Sequence, residues 1–518
     1  MATTHGTTSV IIAGAGPVGL ALACELGMRG IACTVVERRD GTISLPRMSA
    51  VSARNMEFCR RWGIAEEVRT AVWPESHAMD FVYLDNLRGH EFARNKLPPS
   101  AARGLLAFTP EGGCHCPQIY FDPILAKHAA SYASVTLRYG MRLDDFEETA
   151  DGVSSTLTDL ATERTEVLAG KYLVGCDGPG GMVREKLAIG LGEMRIVAHS
   201  VNIFFRSSAL ASLHDKGWAR FYRLIDASGC WAELISIDGR ELWRLTVFDD
   251  EAFVRDPEAA LVKMAGTPFP YELLSVMPWE RRDVVADAYG HGRVLIAGDA
   301  AHQCSPTGGL GMHTGIEEAV NLGWKLSALI EGWGGPQLLA SYEAERRPIA
   351  LRNVAVATRI YGQIRNIPGQ TIGGESGAAL DEWRKNLGAF SISEEEKMTY
   401  TYENSPIVQR DDADAGAGSR ARPGMRAPHA WLADGRSTLD LFGTDLTLLC
   451  FEASPEIESL VQVAREDGVP LRTVAIDDRK AAALYGAAWV LVRPDGHVAW
   501  RSSGVFDAKA IMSRCRGL

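Results

Sequence analysis

Apolar residues recur along this chain with two periods. Short apolar runs bounded by turn residues read as buried strands at Ser9 to Ala13, Ile31 to Val36, Lys171 to Asp177 and Val294 to Ala297. Helix spacing covers Leu20 to Met28, which Gly30 closes, then Ser52 to Trp62, and Gln118 to Tyr132 with Pro123 in its first turn. It returns from about Thr314, where Ile316, Ala319, Val320, Gly323 and Trp324 recur. Gln337 to Tyr361 reads as long helices. Buried strands alternating with such helices predict an α/β fold around a mostly parallel sheet. Met79 to Phe92 reads as a hairpin around Asn86 to Gly89. Val135 to Tyr139, Met141 to Glu147 and Gly152 to Thr158 read as strands of a β-meander.

From His199 to Phe248 the pattern changes. Strand after strand follows without helices, joined by turns at Asp226 to Gly229 and Asp238-Gly239. Alternation puts Trp218, Arg220 and Tyr222 on one face, Trp231 with Glu233 on one face, and Trp243 with Leu245 on one face. Tyr222, Trp231, Glu233 and Trp243 are therefore candidates for the floor of an aromatic pocket, the other reading being plain sheet core. A small-residue, acidic linker at Asp411 to Gly418 precedes a last unit. That unit has strands at Thr447 to Phe451 and Leu471 to Ile476, a helix at Pro455 to Glu466, and a hairpin turning on Pro494-Asp495-Gly496. The linker predicts a separable domain.

Composition narrows the partners. At 518 residues the chain has room for several domains. A net charge of −11 argues against nucleic acid or an anionic membrane surface, and no apolar run reaches membrane-spanning length. MATTHGTTSV carries no secretory signal, and ten scattered cysteines read as reduced thiols, so a cytoplasmic protein is expected. Cys114-His115-Cys116 lacks a second ligand cluster at zinc spacing, so no metal is expected.

The chemistry sits at strand ends. Gly14-Ala15-Gly16-Pro17-Val18-Gly19 follows the first strand directly. Gly14 permits the tight turn, Gly16 lets a diphosphate approach the backbone, and Gly19 lets helix pack on strand. Glu37, eighteen residues after Gly19, ends the next strand where a ribose hydroxyl would be bound. Asp177-Gly178 and Gly298-Asp299 place two more carboxylates at strand ends, though Asp177 also reads as a helix cap. After Asp299 comes a loop with Pro306, Gly308, Gly309 and Gly311, leading into a helix N-terminus. Such an end carries unpaired N–H groups and partial positive charge, as an anionic reduced flavin needs. Arg47, at the end of a loop, is a candidate for the diphosphate or flavin edge, or else a surface arginine.

GAGPVG with Glu37, LVGCDG with Arg184, and GDAAH with PTGGLGM resemble, in order and spacing, the FAD-dependent aromatic hydroxylases. These are the single-component flavoprotein monooxygenases of the para-hydroxybenzoate hydroxylase and phenol hydroxylase type. GMRAPHAWL and VLVRPDGHVAWR resemble the thioredoxin-like tail of the phenol hydroxylase branch, here without a C-x-x-C. The resemblance implies a Rossmann-like FAD-binding domain over 1–190 and 281–400, an inserted β-sheet substrate domain over 191–280 and a thioredoxin-like C-terminal domain over 421–518. It implies hydroxylation of a phenolic or polycyclic aromatic by NAD(P)H and O2 through a flavin C4a-hydroperoxide. It further implies FAD contacts from Gly14, Gly16, Gly19, Glu37, Arg47, Gln118 at the ribityl region, Asp177, Gly298, Asp299 at the ribityl hydroxyls, Gly309, Gly311 and Met312. The resemblance also implies that the loop holding Pro306 would let the flavin swing out and back. His313 stands where the family commonly has Asn, and Glu317-Glu318 where it has Gln-Asp. His313 and Pro306 are thus the catalytic candidates. A binding protein or oxidase on the same fold is the alternative. The expected partners are a small aromatic substrate and O2, and a homodimer is the assembly to test.

Overall fold

The computed structural model describes residues 4–43, 48–97, 106–250, 252–367, 385, 392–410 and 421–518. Arg47 and the linker from Asp411 to Gly418 lie outside the described residues.

A six-stranded sheet carries the first half of the fold. Its order is Gly290–His291, Val294–Ile296, Tyr172–Gly175, Val10–Ala13, Cys33–Glu37 and Val135–Tyr139. Every neighbouring pair is parallel except the first. Such strands are covered on both faces, which is why Val10–Ala13 and Tyr172–Gly175 are apolar throughout and fully buried. Val135–Tyr139 corrects the meander expectation. It joins this sheet beside Cys33–Glu37, and Gly140, at φ 70°, turns the chain into a separate sheet with Met141–Glu148. The principal helices are α1 (Pro17–Met28), α2 (Ala53–Arg61), α3 (Gln118–Ala130), α4 (Gly311–Glu331) and α5 (Gln337–Arg365). The last is one helix, not several. Pro348 lies within it and removes one backbone bond, while Ile349, Ala350 and Ala357 stay buried around it.

The second sheet has eight strands and reaches beyond the expected 191–280. The hairpin of Phe81–Leu84 and Glu91–Asn95 joins it by parallel pairing with Phe221–Asp226. A long strand, Glu272–Val285, pairs along Arg195–Arg206. The sequence hides that strand because Pro278 interrupts it. Among the described residues its other edge is paired only at Val284 and Val285, so Pro278 has an open side where a missing N–H costs nothing. One face of this sheet packs under the helix Pro257–Ala265, with Leu261 and Met264 against Leu224 and Leu245. The other face looks toward the first sheet.

The C-terminal unit is thioredoxin-like. Leu446–Cys450 pairs parallel with Leu471–Ala475 and antiparallel with Trp489–Val492, which pairs with Val498–Ser502. It shares a core with the rest of the molecule: Trp324, Trp333 and Leu338 pack with Leu446, Leu491 and Trp500. Beside that core, Glu345 accepts from Arg493 Nη1 and Nη2 at 2.6 and 2.9 Å and from Lys325 Nζ at 2.8 Å. Burial opposes the charge on Glu345, but Arg493 and Lys325 outweigh it and hold the carboxyl down to about 2. The tail that the linker predicts to be separable thus shares a core and a buried ion cluster with the rest of the molecule. Among the described residues, no helix is long and apolar enough to cross a membrane.

Arg493→Met strands a buried carboxylate and should lower stability by roughly 3–5 kcal/mol in urea denaturation. Residues 1–420 expressed alone should be insoluble. A soluble, cooperatively folding fragment would show that the shared core is dispensable.

Candidate active site

Between the two sheets lies a cavity of about 2140 Å³. Its first half is built by strand ends and helix N-termini. The chain leaves Val10–Ala13 at Gly14, whose φ of 104° favours glycine, and enters α1 at Gly16. A Cβ on Gly19 would lie 2.0 Å from Gly14 O, so the turn closes only with glycine there. A Cβ on Gly16 would meet nothing within 4 Å. The N-terminus of α1 has no side-chain cap, and Pro17 stands at its start. Open space before uncapped N–H groups fits the diphosphate of a dinucleotide. Glu37 at the next strand end accepts from Ala15 N at 3.0 Å and Arg39 N at 2.9 Å. Gln118 Nε2 donates to Asp122 Oδ2 at 3.0 Å. Asp177 accepts from Val183 N at 3.1 Å and so caps a short helix, while burial raises its carboxyl above the usual range.

Asp299 follows a three-residue strand and lines the cavity exposed. The turn holding it is pinned from behind. Glu318 accepts from Gly298 N at 2.8 Å and Tyr289 Oη at 3.1 Å, and lies 3.1 Å from His302 Nε2. Burial disfavours the imidazolium at His302, but the Glu318 carboxylate outweighs it and raises the histidine overall. The loop with Pro306 and Gly309 then leads to α4, which begins at Gly311 rather than near Thr314 and has no side-chain cap. Pro306, Gly309, Gly311, Met312 and His313 all line the cavity. His313 Nε2 accepts from Ser52 N at 3.1 Å and lies 3.1 Å from Ala50 O. Burial, and then the Lys397 ammonium, push His313 down to about 4, so it is neutral at ordinary pH. Gly14, Gly16, Glu37, Gln118, Asp177 and Asp299 line the same space. Gly19 and Gly298 shape turns behind it.

The second half is the inner face of the eight-stranded sheet. Registers put Arg223, Glu233, Thr246 and Asn202 in one cross-strand row, with Ile235 opposite Arg244 in the next. All six line the cavity, and Arg220 and Arg281 join them. Arg223 Nε donates to Glu233 at 2.8 Å, and its Nη1 donates to Tyr83 Oη at 2.8 Å. Arg281 donates to Ser200 and Ser305 hydroxyls at 2.9 and 3.1 Å. Burial pushes the Arg244 guanidinium down to about 10, against the pull of Glu233.

Three expected pocket aromatics are corrected. Tyr222 and Trp243 occupy the opposite rows and are buried in the core under the helix Pro257–Ala265. Tyr222 Oη donates to Gly217 O at 2.6 Å and accepts from Ala219 N at 3.0 Å. Trp231 is the extra residue of a β-bulge: Leu224 pairs Ala232 and Ile225 pairs Cys230. The bulge breaks the alternation, so Trp231 turns to the core with Phe253 while Glu233 faces the cavity. Arg223 and Arg244 were the missed signal. Each stands alone at mid-strand in a largely apolar run, FYRLI and LWRLTVF, as a buried charge does only for a ligand or partner.

The FAD binding domain family matches residues 7–357, and the family of the aromatic-ring hydroxylase C-terminal domain matches residues 420–516. The chain belongs to the FAD-dependent aromatic-ring hydroxylases. Among these hydroxylases it is 31% identical to aklavinone 12-hydroxylase RdmE of Streptomyces purpurascens, over 95% of this chain and 95% of that one. The structure of RebC soaked with chromopyrrolic acid and holding 7-carboxy-K252c is 38% identical, with a TM-score of 0.90 and 100% of both chains covered. The flavin-dependent monooxygenase PieE, in complex with FAD and substrate, is 28% identical, with a TM-score of 0.89 over 98% of this chain and 99% of that one. This hydroxylase is accordingly an FAD-dependent monooxygenase of aromatic compounds, with NAD(P)H as the reductant typical of its family.

Tyr222→Phe should cost about 1–3 kcal/mol of stability by leaving buried groups unpaired, with flavin and substrate affinity unchanged. A changed substrate affinity at full stability would return Tyr222 to the pocket.

Proposed function

We propose that this hydroxylase uses O2 to hydroxylate a polycyclic aromatic that carries a carboxylate. The observation that carries the reading is the wall of Arg220, Arg223, Arg244 and Arg281 around Glu233. More guanidinium than carboxylate faces the substrate half, and burial makes such an excess of positive charge costly. An anionic substrate offsets that cost, and RebC, similarly built, holds the carboxylated compound 7-carboxy-K252c. The same guanidinium groups favour the ionised form of a phenol.

In the other half, FAD would lie with its diphosphate on Gly14, Gly16 and the α1 N-terminus. Glu37 would take the adenosine ribose, Gln118 and Asp299 the ribityl chain, and Gly309 to Met312 the flavin edge. Bound there, FAD supplies the redox chemistry and the activation of O2. The chain's own task is to hold the substrate between the arginine wall and the flavin, exclude water and keep His313 a neutral donor or acceptor beside the loop. Asp177 is occupied as a helix cap and contributes less. A cytoplasmic setting suits ten free thiols.

Oxygen and NAD(P)H consumption with hydroxylated polycyclic acids and their methyl esters tests the reading. The acids should be favoured about tenfold or more in kcat/KM, and Arg244→Met should erase most of that preference, since a charge-assisted contact is worth roughly 1.5–3 kcal/mol. Esters turned over as well as acids, or no oxygen uptake with any aromatic, would refute it. For the cofactor, Asp299→Ala should raise the FAD Kd by about tenfold or more, and Asp177→Ala by much less. Equal retention of flavin by both variants, in equilibrium dialysis, would count against the assigned roles.

A further inference from the structure

One cavity-lining acid takes no part in this chemistry. Asp122 lies on α3, one turn after Gln118. Its side chain is 5% exposed and lines the nucleotide half of the cavity. Oδ2 accepts from Gln118 Nε2 at 3.0 Å, and Oδ1 is buried with no hydrogen-bond partner among the described residues. The groups that feel it from neighbouring elements are the Cys116 thiol, from the segment before α3, and the Tyr139 phenol, at the end of Val135–Tyr139. Tyr139 also feels Glu37. All of these are neutral or anionic, and among the described residues no cation contributes at Asp122. A carboxylate with a dry, unbonded oxygen and no counter-charge is the costlier form, so the acid is kept. Burial raises this carboxyl to about 7, with the Gln118 amide pulling weakly the other way.

A dinucleotide brings two phosphate charges into the space that Asp122 shares with Glu37. An ionised Asp122 would repel them, whereas the neutral acid does not. We propose that Asp122 stands beside the nucleotide half of FAD as a neutral acid, taking up a proton with the cofactor at alkaline pH. The proposal rests on the proposed seating of the FAD diphosphate at Gly14 and Gly16 and of its adenosine at Glu37. Linkage gives the sign. A group whose proton is held more tightly in the complex gives full affinity below its free pKa, and affinity falls as pH rises through the window above it. The window therefore opens near neutrality and extends upward.

The test uses the full-length apoprotein, prepared by removing FAD, and two probes, FAD and ADP. Both should bind about tenfold or more weakly near pH 8.5 than near pH 6. Calorimetry near pH 8 in two buffers of different ionisation enthalpy should show net proton uptake on binding. Asp122→Asn, an uncharged isostere, should bind both probes with nearly wild-type affinity at the lower pH, and should lose both the pH dependence and the proton uptake. Wild-type binding without proton uptake overturns the proposal and requires no variant. So does an Asp122→Asn protein that keeps the slope, or a slope seen with FAD and not with ADP. Failure of the acid-over-ester preference would instead sink the substrate reading and leave this result standing.

Discussion

The buried charge at Glu345 is the constraint on which the rest of the structure depends. A carboxylate at this depth is tolerable only with its full set of donors, and these come from distant parts of the chain. Lys325 and Asn321 approach from α4, Arg493 from the C-terminal hairpin, and Ser405 from the segment after α5. Asp495, in the same hairpin, bonds Asn321, and its backbone carbonyl accepts from Arg54 of α2 at 2.8 Å. Pro494 O accepts from Arg61 of the same helix at 2.6 Å. The hairpin thus ties down α2, α4 and α5 together. α4 opens on the cavity at Gly311, and α2 begins beside Ser52, whose N–H fixes the His313 ring. The thioredoxin-like unit has no redox pair to offer. Its hairpin braces α2 and α4 beside the cavity, and none of its described residues lines that cavity.

Much of the nucleotide half was legible in the sequence because local rules dictate it. A tight strand-to-helix turn needs glycine at Gly14 and Gly19 whatever surrounds it, so the spacing of GAGPVG carries over directly to the geometry. The substrate half was legible in its strands and not in its faces. Alternation runs unbroken through Trp231 in the sequence, but a single extra residue there reverses every assignment on one side of it. Whether a face rich in Trp and Tyr points to ligand or to core is decided by which side the helix Pro257–Ala265 covers. No periodicity within the strands records that. The strand Glu272–Val285 escapes the pattern for a related reason: Pro278 is forbidden in a central strand and harmless on an open edge, and edges are set by tertiary structure. The linker suggested independence where the contacts show a shared core, because composition reports on the connecting segment and not on the surfaces it joins.

Glu317 and Glu318, adjacent on α4, illustrate how two neighbouring carboxylates are absorbed in one buried helix. Two adjacent carboxylates in a buried helix would repel each other and lose solvation. Their directions separate them. Glu317 turns toward α5 and the segment after it, accepting from Arg346 at 3.1 Å and Tyr400 Oη at 2.6 Å. Glu318 turns to the sheet, where Gly298 N, Tyr289 Oη and His302 converge on it. Arg346 also reaches Thr314 O and Tyr402 Oη, so the first carboxylate is part of the network that meets the C-terminal hairpin at His497. The second is part of the turn that presents Asp299. One helix therefore carries restraint in two directions from neighbouring residues: outward to the C-terminal unit, and inward to the strand end where the flavin's ribityl chain is proposed to lie. A change at either glutamate would be felt at the cavity without either side chain touching its contents.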